Sequence, residues 1–200
     1  MTSGLRPQAS GLRPDRAAGF GPQASGCALC VVLLIACRGD KPAGGGAGSA
    51  TNGSAAAKSG LVPPVGWQAV PQLAATVKEE ATGTSVLGSE AWGDLARGCY
   101  AAWIALRGRG DSVDKMADQL LQSVATEPAL AGIAVRDVVK PTAGAEQGVL
   151  SLSFERALYH GKLRATLVRD GRIAALACFW NQREPTACGQ TCTQLIGTMR

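Results

Sequence analysis

The residues best suited to chemistry in this sequence are its cysteines, of which there are seven. Four of them follow residue 65: Cys99, Cys178, Cys188 and Cys192. An even number of cysteines in an exported domain favours disulfide bonds, and four cysteines allow three pairings. A bond between Cys188 and Cys192 would close a very small loop and stabilise little. We therefore expect Cys99 and Cys178 each to be joined to one C-terminal cysteine, with the local Cys188–Cys192 pair as the alternative.

A metal site or a redox site is the other use of four such cysteines. Four thiolates can hold zinc, but zinc ribbons usually pair their cysteines in two Cys-x₂-Cys units. Here Cys188 and Cys192 are spaced Cys-x₃-Cys, and the other two cysteines stand alone. Thiol redox enzymes also favour Cys-x₂-Cys, at the start of a helix. The spacing favours structural disulfides, and the sequence predicts neither a metal nor a cofactor.

The three remaining cysteines lie in or directly after a short apolar run. Residues 27–36, CALCVVLLIA, would form about 15 Å of helix, half the thickness of a bilayer core. Arg6, Arg13 and Arg16 precede this run. Basic residues followed by a short apolar run are typical of a secretory signal peptide, although this basic region is unusually long.

The end of the apolar run, Leu34-Ile35-Ala36-Cys37, resembles the lipobox of bacterial lipoproteins. The resemblance implies cleavage before Cys37 and attachment of two or three acyl chains to that residue, which is enough for durable membrane anchoring. It makes residues 1–36 a signal peptide, with a plain secretory signal or an uncleaved anchor as alternatives. In that family an Asp after the lipidated Cys tends to retain the protein at the inner membrane. Arg38 therefore favours the outer membrane, with the domain in the periplasm or at the cell surface.

Residues 37–64 are rich in Gly, Ala and Ser and end in a Pro pair. Such a composition is typical of a flexible, disordered tether, whose root-mean-square span would be roughly 30 Å. We therefore expect a lipidated linker over 37–64 and one folded domain over 65–200.

Hydrophobic periodicity in that domain predicts helices and strands. Residues 111–126 carry apolar side chains at i, i+3, i+4 and i+7, which predicts a helix with that stripe in the core. The pattern also predicts strands at 65–70, 99–108 and 131–141, a β-meander over 148–181 and a closing helix over 186–199. This order gives the α+β class, an antiparallel sheet with helices packed on it.

The last hairpin of the meander has a turn signal at Asp170-Gly171. A two-residue turn there would place Leu163 opposite Cys178 and Ala165 opposite Leu176. In that register these side chains, with Trp180, would share one face of the sheet.

The order of these elements resembles the PsbP/DcrB-type α/β sandwich. The resemblance covers roughly residues 100–200 and rests on four features in order: the helix DSVDKMADQLLQSVA, the strand AGIAVRDVV, three meandering strands and a short terminal helix. It implies a domain that binds or stabilises other proteins, and it transfers no catalytic residue.

No catalytic constellation is readable in the sequence. His160, the one histidine, is expected in an exposed hairpin turn, and no nucleophile or carboxylate is placed to act with it. The net charge of +5 is mild and aromatic residues make up 4%, which argues against nucleic acid as a partner. We expect a non-enzymatic envelope module that binds a protein, with a small-ligand-binding domain as the alternative and a redox or hydrolytic enzyme as the least favoured class.

One short segment is the candidate for a binding patch. It lies at the end of the last strand of the meander and consists of Trp180, Asn181, Gln182 and Arg183. Trp and Arg are enriched in interaction hot spots. The alternative is a polar turn in which Trp180 belongs to the core.

Overall fold

A computed structural model describes residues 57–81, 85–127, 130–156, 158–183 and 185–199. The described residues form three helices and seven strands. In chain order these are β1 (Gln68–Ala69), α1 (Pro71–Glu80), β2 (Ser85–Asp94), β3 (Cys99–Arg107), α2 (Val113–Thr126), β4 (Ala134–Val139), β5 (Gln147–Arg156), β6 (Tyr159–Val168), β7 (Arg172–Asn181) and α3 (Pro185–Thr198). The predicted signal peptide, Cys37 and most of the predicted linker lie outside the described residues.

The strands form one sheet in the order β1-β2-β3-β7-β6-β5-β4, and every neighbouring pair is antiparallel. The predicted α+β class, an antiparallel sheet with helices packed on it, is confirmed. Helices α1 and α2 cover one face of the sheet and α3 packs on the opposite face, so apolar residues are buried on both sides.

The first face is called the α2 face here and includes Ala102, Leu152 and Leu163. Helix α2 buries its predicted stripe against this face: Val113, Met116, Ala117, Leu120 and Val124. Val77 of α1 extends the same core over β2 and β3. The periodicity of residues 111–126 thus predicts both the helix and its buried side.

The opposite face is called the α3 face here and includes Trp103, Leu176 and Trp180. Trp67 and Trp92 also belong to the apolar cluster on this face, so all four tryptophans of the chain lie in it. Leu195 and Met199, from α3 and the residue that follows it, close the cluster from above. The final helix therefore buries an aromatic-rich surface.

The predicted register of the last hairpin is wrong by one residue. Leu163 lies opposite Ala177, and Ala165 lies opposite Ala175. Three residues, 169–171, connect the strands instead of two; Gly171 adopts φ 88 and its N–H donates to the Val168 carbonyl. Because the side-chain period of a strand is two, this shift moves Cys178 and Trp180 away from Leu163 and onto the α3 face.

The segment before β1 packs on the sheet. The Ala57 N–H donates to the Leu87 carbonyl over 2.8 Å, and the Ser59 hydroxyl donates to the Glu90 carboxylate. Leu61 packs on the α3-face cluster. These contacts begin eight residues before Val65, where we expected the domain to start.

Among the described residues, no helix combines the length and apolar character needed to cross a bilayer.

Candidate functional site

Helix α3 is held on the sheet by two disulfide bonds. Cys99 of β3 is bonded to Cys188, and Cys178 of β7 to Cys192, with Cα–Cα distances of 5.8 and 5.5 Å. The predicted disulfide bonding is confirmed, and each bond joins a strand to the closing helix. Gly189 lies within α3, where a glycine lowers helix stability by about 1 kcal/mol relative to alanine. The bonds therefore supply order that the helix sequence lacks.

The four bonded cysteines are shielded from solvent, with exposed fractions of 0–2%. Sulfur atoms in disulfides are not thiolate ligands, so this oxidised structure presents no four-thiolate set. Within the part of the chain that the structure describes, no three His, Cys, Asp or Glu side chains are grouped to hold a metal ion. The bonds thus act as structural links between helix and sheet.

A shallow groove runs along the junction of α3 with β6 and β7. We call it the α3 groove; its volume is about 510 Å³. It is lined by Lys162, Trp180, Thr186, Gly189, Gln190, Thr193 and Gln194. The lining side chains offer amide, hydroxyl and ammonium groups, and none of them is a carboxylate. The groove can therefore make hydrogen bonds and accept negative charge.

Trp180 forms the inner wall of the α3 groove. Its side chain is 8% exposed, and its ring stacks on that of His160, with 6.3 Å between the centroids. A Cβ on Gly189 would lie 3.4 Å from the Trp180 ring, so the glycine lets the helix approach the indole closely. The Trp180 Nε1 is buried and has no hydrogen-bond partner among the described residues. Trp180 is thus a packing residue that shapes the groove.

The sequence led us to expect His160 in an exposed hairpin turn. In the structure it is instead the second residue of β6. Its Nδ1 lies 3.4 Å from Glu155 Oε1 on the neighbouring strand. The turn that we expected at this position lies earlier, because β5 ends at Arg156 and β6 begins at Tyr159. Stacking on Trp180 and pairing with Glu155 give His160 a structural role beside the groove.

The structure divides the predicted patch into two parts. Trp180 lies in the groove, whereas Asn181, Gln182 and Arg183 continue past it to the end of the sheet. There the Gln182 N–H donates to the Leu158 carbonyl over 2.8 Å, and the Arg183 N–H donates to Asn181 Oδ1 over 3.0 Å. Gln182 and Arg183 are exposed. They lie outside the groove lining, between the end of β7 and the start of α3.

Sequence reasoning did not identify the outward residues of α3 as candidates. These residues lie on the side of the helix away from the bonded cysteines, spaced four, three and one residues apart: Thr186, Gln190, Thr193 and Gln194. A helical projection of residues 185–198 would have separated this polar row from the cysteine side. Lys162 could not have been found in this way, because its position beside α3 depends on the hairpin register.

No protein-family model matches this chain, and comparison with curated proteins gives no match either.

Proposed function

We propose that this chain is a bacterial lipoprotein, anchored to the cell envelope by acylated Cys37, whose α+β domain binds another envelope protein without catalysing a reaction. The α3 groove and the segment Asn181–Arg183 at the end of β7 form the contact surface. The lipobox-like LIAC sequence supports the anchor. The PsbP/DcrB-like element order is consistent with a protein-binding role.

The observation that carries the binding role is the rigid attachment of α3. Two buried disulfides and a tryptophan-rich cluster fix the helix, so its outward Thr and Gln side chains are presented without a large ordering cost. Pre-organised surfaces of this kind lose less conformational entropy when a partner binds.

The shape of the groove favours a protein over a small molecule. Pockets for small ligands are concave and enclose most of the ligand. The α3 groove is open, and its inner wall, Trp180, is largely covered by His160 and α3. A partner that spreads across α3 and the adjoining strand suits this surface better.

Site-specific photo-crosslinking tests the contact surface. A photoreactive residue replaces the exposed Gln190 of the groove in the full chain, in the bacterium that produces it. The matched control replaces Gln119, which is also exposed but lies on α2, on the other side of the sheet. We expect a discrete crosslinked protein adduct from position 190 and not from position 119. Equal adducts from both positions, or none from either, would contradict the proposal.

A further inference from the structure

Two cations on β6 border the α3 groove. Lys162 and Arg164 are two residues apart on one strand, so both side chains project from the α3 face, opposite Cys178 and Leu176 of β7. Lys162 lines the groove directly. Both residues are half-buried.

Neither cation is neutralised by a carboxylate of the described chain. The Lys162 ammonium donates to the Thr193 hydroxyl over 2.8 Å, and Arg164 makes no ion pair with a described residue. The Arg164 Nε is in addition buried, and no described residue forms a hydrogen bond with it. A partly desolvated cation without a counter-charge is unfavourable, and an incoming carboxylate would relieve that cost.

Several other cations of the domain are paired with carboxylates. Lys140 lies 2.7 Å from Asp118, and Arg169 lies 2.9 Å from Glu146. Lys115 lies 3.8 Å from Asp111. Among the described residues, the cations without an ion pair also include some exposed ones: Lys58, Lys78, Arg109 and Arg183. The row formed by Lys162 and Arg164 differs from them because it is unpaired and half-buried.

Two carboxylates of β4 and β5 lie on the same side of the sheet as the row. Glu155 lies 3.3 Å from Arg136 and 3.4 Å from His160. Asp137 accepts a hydrogen bond from the Ser153 hydroxyl. The Ser153 hydroxyl does not neutralise the Asp137 carboxylate, but no ion pair among the described residues joins Asp137 or Glu155 to the row.

The surface next to the row is built from small residues. Ser151 lies opposite Arg164 and Ser153 lies opposite Lys162 on β5, so no large side chain rises beside the two cations. On the other side Thr193 of α3 forms a polar wall. An extended polypeptide has room to lie along this strip.

We propose that Lys162 and Arg164 bind an extended acidic segment of the partner protein, in which carboxylates occupy alternate positions. Same-face residues of a strand are separated by about 6.6–6.8 Å, and an extended acidic segment repeats its carboxylates at the same interval. Two charge-assisted contacts would thus form together. This inference rests on the proposed function, because it names the chemistry of the partner at the same surface.

Binding of a defined peptide tests the inference. The probe is a short fluorescent peptide in which Glu alternates with Ser, measured by polarisation against the full-length protein at moderate salt. We expect K162Q/R164Q to lower the affinity by about tenfold or more. A matched variant, K115Q/K140Q, removes the same charge from cations that already have carboxylate partners, and it should leave the affinity nearly unchanged. A peptide with Gln in place of Glu should not bind.

Three results would overturn the inference: equal losses in both double variants, binding of the Gln peptide as tight as that of the Glu peptide, or tighter binding of a single-stranded oligonucleotide of equal charge. If K162Q/R164Q does not fold, the single variant Lys162→Gln is measured against Lys115→Gln with the same criteria. The crosslink from position 190 separates the two proposals. Should that crosslink persist while acidic peptides fail to bind, the protein-binding function stands and the acidic segment is excluded.

Discussion

Two glycines of this domain lie in opposite environments. Gly161 of β6 faces Phe154 on β5, and a Cβ at this position would overlap the phenyl ring. Apart from its chain neighbours and the backbone of its own helix, Gly197 of α3 has no heavy atom of a described residue within 4 Å of the place where a Cβ would be. The same substitution therefore has opposite consequences at the two sites.

We expect Gly161→Ala to destabilise the domain by roughly 1–3 kcal/mol, because Phe154 must move in a packed core. We expect Gly197→Ala to stabilise it by up to about 1 kcal/mol, because alanine favours the helix and meets no neighbour. Urea unfolding of both variants measures the two changes. The same sign at both positions would show that the two sites do not differ as described.

Asp170 stabilises the turn between β6 and β7. Its Oδ1 accepts the Arg172 backbone N–H over 3.1 Å, and its Oδ2 lies 2.8 Å from the Arg172 Nε. The backbone hydrogen bond, followed by the Arg172 side chain, lowers the pKa of this carboxyl below its ordinary value. Because the folded pKa is depressed, the stabilisation is present above the unfolded pKa and is lost as the pH falls through the folded one.

We therefore expect Asp170→Asn to lower the melting temperature slightly at neutral pH, with a difference from the wild type that disappears in acid. Thermal unfolding of both proteins from neutral pH to below the ordinary carboxyl range tests this. A difference that stays constant over the whole range would contradict the role of the ionised carboxylate.

At the residue scale, the sequence predicted the roles of residues that depend on local hydrophobic periodicity. It did not predict the roles of residues that depend on the pairing register of β6 and β7. The buried stripe of α2 is readable because helical periodicity alone determines it. The Lys162–Arg164 row is not readable, because its place beside α3 depends on which residues of β6 and β7 are opposite. Asp170-Gly171 is compatible with both a two-residue and a three-residue connection, and the sequence does not distinguish them.

The two disulfides differ in the length of chain that they close. The Cys99–Cys188 bond spans 89 residues, whereas the Cys178–Cys192 bond spans 14. The entropy that a cross-link removes from the unfolded chain grows with the logarithm of this length. The longer link should therefore contribute more to stability.

We expect C99A/C188A to lower the free energy of unfolding by about 4–5 kcal/mol, and C178A/C192A to lower it by about 3 kcal/mol. Both pairs are buried, so the two variants lose similar packing and form a matched comparison. Urea unfolding measured without reductant gives the two values. An equal or reversed order would show that local packing, rather than loop closure, decides their contributions.

At the element scale, the sequence predicted the meander, α2 and the closing helix, but it predicted neither α1 nor β2. Helix α1 begins with Pro71, a common first residue of a helix, but it has no side-chain cap and no acidic residue in its first turn, so its start is only weakly signalled. Strand β2 contains Gly88 and Gly93, and its pairing with β3 shifts between Val86 and Gly88. Tertiary contacts with the α2-face core form these elements, and single-sequence periodicity does not report such contacts.

At the scale of the whole molecule, the proposed anchor has a direct test. We expect Cys37→Ser to move the chain from the membrane fraction to the soluble fraction, because serine cannot accept the thioether-linked lipid. Ala28→Ser, within the apolar run but outside the lipobox, serves as the control and should leave partitioning unchanged. Unaltered membrane partitioning of Cys37→Ser, measured by fractionation and immunoblotting, would refute lipid anchoring at this residue.

The order of the bonded cysteines along the chain has a consequence for biogenesis. Both bonds need the last helix, and they interleave: the first domain cysteine joins the third, and the second joins the fourth. In the proposed export, Cys99 and Cys178 emerge before either correct partner, and they are on adjacent strands of one face. An oxidant acting on the emerging chain would therefore join the wrong pair. Under that proposal, maturation should depend on a disulfide-shuffling catalyst that acts after α3 has emerged.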